Sequence, residues 1–353
     1  MIGCGRMGVS TSQSVDKFAP RCWFPLSHAQ AIENHPDLEL IAICDANPVT
    51  LRRSADILGI TAAYTDYRTL IAEMQPELIG IATRTIGRAD IVQTAANAGT
   101  RALHVEKPLC NSAKELAKLT EILAGPNLFC TYGALRRYFR IYQIAKELVR
   151  SGAYGTLYQI RVNFGRGMLF WTHPHSVDLI LDIAGERRVE AVQARLSNVI
   201  QGDALWDILS DPIIDSASIY FEDGVVGHIG LSSGFSLVIS CSEAEISVEN
   251  DGEGIFISKR QGENPYYRRS SHQLLQELPA LEGSLAPISH LVRCLQGDAL
   301  EIERNRKLKS QIIQGQSILF LMVQSHLEDS RLIRAGNIDS ELAIWARTGE
   351  KFA

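Results

Sequence analysis

The chain has 353 residues, 46% hydrophobic and 21% charged, with a formal net charge of -5. At roughly 100–200 residues per domain this suggests two domains or one large one, and the balance excludes disorder as the main state. An acidic chain lacks the basic face needed by a nucleic-acid binder or an anionic-membrane binder, and no apolar run reaches the length of a membrane span.

The first element is a glycine loop. Gly3-Cys4-Gly5-Arg6-Met7-Gly8 fits G-x-G-x-x-G, in which glycines let the backbone turn tightly and approach a pyrophosphate. Only Met1 and Ile2 precede it, so the strand that should lead into it reads as clipped. Residues 9–26 read as an insertion, either a surface loop or a flap over a cofactor cleft. Ser27-His28-Ala29-Gln30 then reads as a capping box that starts the first helix. Leu38–Cys44 predicts a strand ending at Asp45, whose carboxylate is placed to accept from ribose hydroxyls. Gly8 and Asp45 are 37 residues apart, against the usual ~20, and the insertion accounts for the excess.

Beyond Asp45, strands and helices alternate. Val49–Leu58 predicts a helix, Leu78–Thr83 a buried strand, Ala89–Ala98 a helix, Arg101–Val105 a strand and Ser112–Leu123 a helix. This alternation means right-handed crossovers and an α/β, doubly wound parallel sheet. The pattern changes near Cys130. Ile141–Ser151 predicts a helix and Thr156–Phe164 an alternating strand. Several strands with turn signals at Glu222-Asp223-Gly224 and Asn250-Asp251-Gly252 fill residues 191–259, and helix returns at Ser289–Leu295 and Ser310–Glu328. Two domains are therefore expected: residues 1–130, a dinucleotide-binding parallel sheet, and 131–353, an α+β domain with a mostly antiparallel sheet for substrate binding and assembly. Seven scattered cysteines without a C-x-x-C pair read as reduced thiols, which points to the cytoplasm rather than to a disulfide frame or zinc site. The opening MIGCGRMG does not read as a secretory leader.

Glu106-Lys107-Pro108 follows the strand Arg101–Val105. Together with the glycine loop and the acidic strand end it resembles the Gfo/Idh/MocA family of nicotinamide-dependent oxidoreductases. Ser27-His28-Ala29, the turn Ser151-Gly152-Ala153-Tyr154-Gly155-Thr156-Leu157 and His175-Ser176-Val177-Asp178 are similar to further marks of that family. The resemblance implies an N-terminal Rossmann-type domain that binds the cofactor through Gly3, Gly5, Arg6, Met7, Gly8, Asp45, Thr83 and Glu106. It implies Lys107 as the catalytic lysine, with a cis bond to Pro108, and His175 as the acid/base that exchanges the hydroxyl proton. A histidine titrating near neutrality suits that exchange, and an ammonium stabilises a developing alkoxide. Asp45 favours NAD because a carboxylate repels a 2′-phosphate; Arg52 and Arg53, one helical turn on, keep NADP open.

The departures from the family pattern lie around the expected substrate. Trp171 and His173 stand where the family usually has Asp and Gly, and either His173 partly replaces the missing acid or it packs. Arg84 and Arg88 replace the proline and histidine that often follow Ala82-Thr83. With Arg136 and Arg137 they suggest a site for an anion, the alternative for each being a salt bridge within the protein. Arg84, Arg88, Arg137, Trp171, His173 and Asp178 are thus the candidate substrate residues. His173-x-His175-x-x-Asp178 lacks further ligands for a metal, so none is expected. The implied activity is hydride transfer between nicotinamide and a hydroxyl or carbonyl carbon of a sugar, a cyclitol or an anionic sugar derivative. A redox-neutral lyase or glycosidase and a non-catalytic sensor are the alternatives. A homodimer or homotetramer is expected, with a small sugar-like substrate as partner and neither nucleic acid nor membrane.

Overall fold

A computed structural model describes residues 1–9, 17, 19–261, 264–273 and 282–347. Residues 10–16 and 18, part of the expected insertion and its flap, lie outside the described residues. The chain divides into two compact units, Met1–Leu135 with Ala280–Ile313 and Arg347–Ala353, and Arg136–Pro279 with Gln314–Ala346. Among the described residues no helix is long and apolar enough to cross a membrane.

Unit 1 is built on parallel strands. β1 (Ile43–Cys44) pairs with β2 (Ala63–Tyr64), while β3 (Leu78–Ile81), β4 (Ala102–Val105) and β5 (Phe129–Tyr132) pair in that order. Ile2 joins the two groups by bridging in parallel to both Cys44 and Ile81. Its N–H donates to Gly80 O at 2.8 Å and its carbonyl accepts from Ala82 N at 2.8 Å. A two-residue stub thus holds the central place of the sheet. β4 and β5 are buried at every residue, as a parallel strand covered on both faces must be. Leu38–Cys44 forms a ladder only at its last two residues, where Ile2 and β2 lie beside it; just before them, Ala42 O accepts from the Met1 amino group at 2.8 Å.

The helices of unit 1 are α1 (His28–Glu33), α2 (Pro48–Leu58), α3 (Tyr67–Met74), α4 (Arg88–Asn97) and α5 (Ala113–Ala124), joined late in the chain by α8 (Leu285–Leu295). Their caps explain their starts. Ser27 Oγ accepts from Gln30 N, Asn47 from Val49 N and Thr50 N, and Ser112 from Glu115 N. α8 packs Leu291 and Cys294 onto Ala102 and Phe129. The edge strand β5 is closed by Asn305, whose side-chain amide bonds both the N–H and the carbonyl of Cys130 at 3.1 and 2.9 Å.

Unit 2 carries a nine-stranded sheet. Its strands are β6 (Leu157–Phe164), β7 (Val189–Ser197), β9 (Ile213–Phe221), β10 (Val226–Leu231), β11 (Ser236–Cys241), β12 (Ala244–Glu249), β13 (Gly254–Gln261), β14 (Asn264–Gln273) and β15 (Ile333–Arg334). The short β8 (Asp207–Ile208) pairs elsewhere, with β16 (Ala343–Ile344). The order is β14-β13-β12-β11-β6-β10-β9-β7-β15, antiparallel throughout except for β10 against β6. Register makes the two faces unlike. One cross-strand row runs Val192, Ile219, Gly227, Ile160, Ile239, Ile246, Ile257; the row on the other face runs Gln193, Ser218, His228, Arg161, Val238, Ser247, Phe256. α6 (Arg140–Arg150) and α7 (Pro174–Ala184) also belong to this unit. The apolar row breaks at Gly227 to admit α7: a Cβ there would lie 2.6 Å from Ile180 Cγ2. A last helix, α9 (Ala299–Leu327), contributes residues to both units.

Candidate functional site

In unit 1 the glycine loop follows the Ile2 stub. Gly3 has φ +94°, and a Cβ on it would lie 2.7 Å from the Ala82 carbonyl carbon. A Cβ on Gly8 would fall 2.0 Å from Gly3 O, whereas Gly5 has nothing within 4 Å of that position. Gly3 and Gly8 thus close the turn, and Gly5 leaves an open face on which a phosphate can rest. The turn is helical, with Val9 N donating to Gly5 O at 2.8 Å. α1 then continues it: His28 N donates to Met7 O and Ala29 N to Gly8 O, at 2.8 and 2.9 Å. His28 stands where the fourth residue after Met7 would stand in an unbroken helix. The sequence thus carries about 17 residues more than an unbroken helix would need there, and subtracting them returns the Gly8–Asp45 spacing to about the usual 20.

Asp45 ends β1 with both oxygens engaged, Oδ2 by Cys4 N and Oδ1 by Asn47 N, each at 2.8 Å. It ties the glycine loop to the start of α2, and its remaining lone pairs can still accept from hydroxyls. Arg6 and Met7 are half-buried. Burial, and then the charge of Arg84, pull the Arg6 guanidinium below its ordinary pKa, so two cations share this end of the strands. Thr83 is half-buried, and its hydroxyl is a buried atom with no partner among the described residues.

Arg88 departs from its expected role. It is 2% exposed, and its guanidinium donates to the main-chain carbonyls of Glu106, Pro108 and Thr83. It clamps two strand-end loops and presents no face to an anion. Sequence proximity to the strand end suggested a ligand, but three inward-facing carbonyls need a donor more.

Lys107 is half-buried and its bond to Pro108 is cis. Glu106, 5% exposed, is enclosed by protein groups rather than facing open space. Its Oε2 accepts from Lys107 N at 3.2 Å, and Oε1 lies 3.3 Å from His28 Nε2. A Cβ on Gly133 would strike the same carboxylate at 2.7 Å. Burial pushes this carboxyl up, but the His28 hydrogen bond, with the charges of His28 and Lys107, more than offsets it and leaves the pKa at about 2. His104 is fully buried, with its ring 4.5 Å from that of His28 and Nδ1 2.9 Å from Thr131 Oγ1. Burial, then the charge of His28, bring its pKa down to about 3, so it is neutral. His28, His104 and Glu106 offer ligand atoms within 4.8 Å of one another. Of the three, His28 and Glu106 share a hydrogen bond, while His104 meets His28 by ring contact and bonds Thr131. Sequence reasoning named His28 only as part of a motif and missed His104. Its one signal was the spacing of 104 and 106, which sets two titratable residues on one side of a buried strand.

In unit 2, every residue of α7 is buried except His175, which is half-buried. The helix therefore opens at that imidazole. Asp211 fixes the preceding turn, its two oxygens accepting from Phe170 N and Trp171 N at 2.8 and 3.0 Å; the half-buried Trp171 is held there. His173 is fully buried at the helix start. Nδ1 lies 3.1 Å from Ser176 Oγ and the ring stands edge-on to Phe164. Burial brings it to about 4. Of the two readings of His173, packing is the one it adopts.

Arg137 and Asp178, both expected to meet substrate, meet each other. The guanidinium grips the carboxylate at 2.8 and 2.7 Å, with side chains 8% and 5% exposed. Asp182 lies 3.7 Å from Arg137 and pairs with Lys146. Burial lowers the Arg137 pKa, but Asp178 and Asp182 reverse this and hold it above its ordinary value. Arg136 is likewise taken, bidentate to Asp251 at 2.7 and 2.8 Å, with its guanidinium 3.9 Å over Phe235.

Residues 22–133 match the GFO_IDH_MocA model, described as an oxidoreductase family with an NAD-binding Rossmann fold. The chain is 26% identical over 204 residues to the D-apiose dehydrogenase of Paraburkholderia graminis, covering 53% of this chain and 54% of that one. The chain spans about half the length of the curated relatives it matches. Among solved structures it superposes on an inositol dehydrogenase homologue from Azotobacter vinelandii, complexed with NADH and myo-inositol. The TM-score is 0.72 at 17% identity, over 95% of this chain and 96% of that one. A levoglucosan dehydrogenase complexed with NADH and L-sorbose gives 0.69 at 20% identity, over 84% and 90%. With the glycine loop, the strand-end acid and Glu106-Lys107-Pro108 in place, residues 22–133 match the NAD-binding Rossmann fold of the Gfo/Idh/MocA oxidoreductase family, and the chain as a whole is similar in fold to its dehydrogenases.

Proposed function

We propose that the chain is an NAD-dependent oxidoreductase that moves a hydride between nicotinamide and the hydroxyl-bearing carbon of a sugar or cyclitol. Unit 1 would bind the dinucleotide; unit 2 would bind substrate and support assembly. The observation that carries this reading is the glycine turn of unit 1, closed by Gly3 and Gly8, open at Gly5 and continued by α1. Those amides and the helix N-terminus suit a pyrophosphate, and the unpartnered Thr83 hydroxyl at a neighbouring strand end offers a further polar contact. Asp45 would accept from the adenine-ribose hydroxyls and disfavour a 2′-phosphate.

Bound nicotinamide supplies the hydride acceptor or donor. The chain supplies the rest. His175, the one opening of α7, would take the hydroxyl proton on a ring nitrogen. Lys107 would stabilise the charge left on oxygen, with Glu106 fixing its main chain. Arg84, beside Arg6, would attract a negatively charged part of the ligand, and Trp171 would line the sugar. The relatives' names support polyol-like substrates. A panel of myo-inositol, D-apiose, levoglucosan and sugar acids, assayed with NAD for NADH absorbance, tests the reading. A purified chain that binds no NADH and reduces no NAD with any of them overturns it.

We also propose a cytoplasmic homodimer or homotetramer, paired through the sheet face that carries Gln193, His228 and Arg161. A monomer by light scattering at micromolar concentration would contradict it.

A further inference from the structure

We propose that His28 is a positioning residue that links the glycine loop to Lys107. The proposal rests on the cofactor and lysine roles just given.

His28 has two attachments. Its main-chain N–H donates to Met7 O at 2.8 Å, and the next residue's N–H to Gly8 O at 2.9 Å, so its backbone is part of the turn that would hold the pyrophosphate. Its ring reaches the other way. Nε2 lies 3.3 Å from Glu106 Oε1, and Glu106 Oε2 accepts the Lys107 N–H at 3.2 Å. Glu106 is ionised and can only accept, so the proton of the first bond sits on His28 Nε2. The ring has little freedom. It is fully buried, packs at a 50° tilt against His104, whose own Nδ1 is held by Thr131, and lies over Gly80, where a Cβ would come within 2.9 Å of Nδ1.

The chain of contacts is therefore short: Met7 carbonyl, His28 backbone, His28 ring, Glu106 carboxylate, Lys107 N–H. A dinucleotide that orients the Met7 and Gly8 peptides acts on a residue whose side chain sets the carboxylate beneath the lysine. Hydrogen bonds to such supporting groups typically matter by roughly 10–100-fold where they have been tested at metal sites, a scale that fits an orienting contact here. Met7 and His28 are 21 residues apart in the chain, so the link is made by packing rather than by sequence continuity.

The test uses the full chain labelled with 15N-lysine, with the Lys107 amide assigned through a Lys107→Arg variant and NADH as the probe. In the wild type, NADH should shift the Lys107 amide signal. His28→Leu, which fills the space without a donor, should change that signal before NADH is added and abolish its response. NADH binding, read by energy transfer from tryptophan, should stay within about threefold. His28→Gln, which restores a donor, should recover most of the response. An unchanged Lys107 signal in His28→Leu, or a response to NADH equal to that of the wild type, overturns the proposal. Loss of NADH binding in His28→Leu to the same extent as the amide response would mean that His28 only supports the loop, which also overturns it. If the wild type binds no NADH, the cofactor reading has failed, and the NADH-free comparison still decides whether His28 acts on Lys107.

Discussion

The two units support their proposed reactive side chains in different ways. Beside Lys107, unit 1 buries a single carboxylate, Glu106, and satisfies it with an imidazole and a main-chain N–H. One and two helical turns beyond His175, unit 2 buries two carboxylates, Asp178 and Asp182, and balances them with Arg137 and Lys146. The first arrangement is directional: it orients one peptide. The second is a balance of charge: it lets α7 be enclosed on all sides while carrying acids. A directional support should govern the chemistry more than the stability, and a charge balance the reverse.

The largest effect should come from removing the group that the directional support holds. Lys107→Ala should lower turnover by roughly a hundred- to a thousandfold, the usual scale for losing one charge-stabilising group, with NADH affinity little changed. Steady-state rates and NADH fluorescence titration measure the two. Unchanged turnover would remove Lys107 from the chemistry.

Next comes stability. Asp178→Ala leaves Arg137 buried without its bidentate carboxylate, which should cost about 3–5 kcal/mol. Glu106→Gln keeps the volume and one acceptor, so it should cost only about 1–2 kcal/mol. Urea unfolding of both variants makes the comparison. Equal losses would mean that the two supports do not differ in kind.

These sites were legible in the sequence to unequal degrees. The glycine loop, Asp45 and Glu106-Lys107-Pro108 were readable because tight turns and strand ends impose residue types locally. The cap at Ser27 was readable for the same reason. β2 and β5 were not foreseen: β2 has two residues and so shows no period, while the four residues of β5 fall where the helix pattern of the first half gives out. The network around Glu106 was hidden for another reason. It needs His104 set opposite Thr131 by β4–β5 register, and His28 brought against Met7 from 21 residues along the chain. Arg88 and Arg137 were misread because a guanidinium's partner depends on what lies across from it in space, not on the residues beside it in the chain.

Acid titration separates the supports further. The Glu106 pKa is held at about 2 in the folded chain, against 4.5 for an unperturbed glutamate. A depressed acid stabilises the fold fully above 4.5, and this contribution is lost as pH falls from there toward about 2. The wild type should therefore lose stability over that window more steeply than Glu106→Gln, by denaturant midpoints taken at each pH. Parallel curves would show that Glu106 is not the group responsible.

The smallest effect concerns the two arginines that leave the same strand end. Arg88 is buried, its guanidinium committed to three carbonyls, so Arg88→Gln should lower the unfolding midpoint and show no preference among substrates. Arg84 is exposed, and its charge acts on Arg6. Two cations held close repel, and an anion placed near them relieves that repulsion. A single exposed charge contributes only about 0.2–1 kcal/mol to such an encounter, and salt screens it. Arg84→Gln should therefore raise KM for a sugar acid by no more than about fivefold, leave KM for myo-inositol unchanged, and weaken the salt dependence of the former. The unfolding midpoint should not move. If KM rises equally for the acid and the neutral cyclitol, Arg84 shapes the site without reading charge. If neither changes while Arg88→Gln alters the acid's KM, the division between the clamping arginine and the exposed one is reversed.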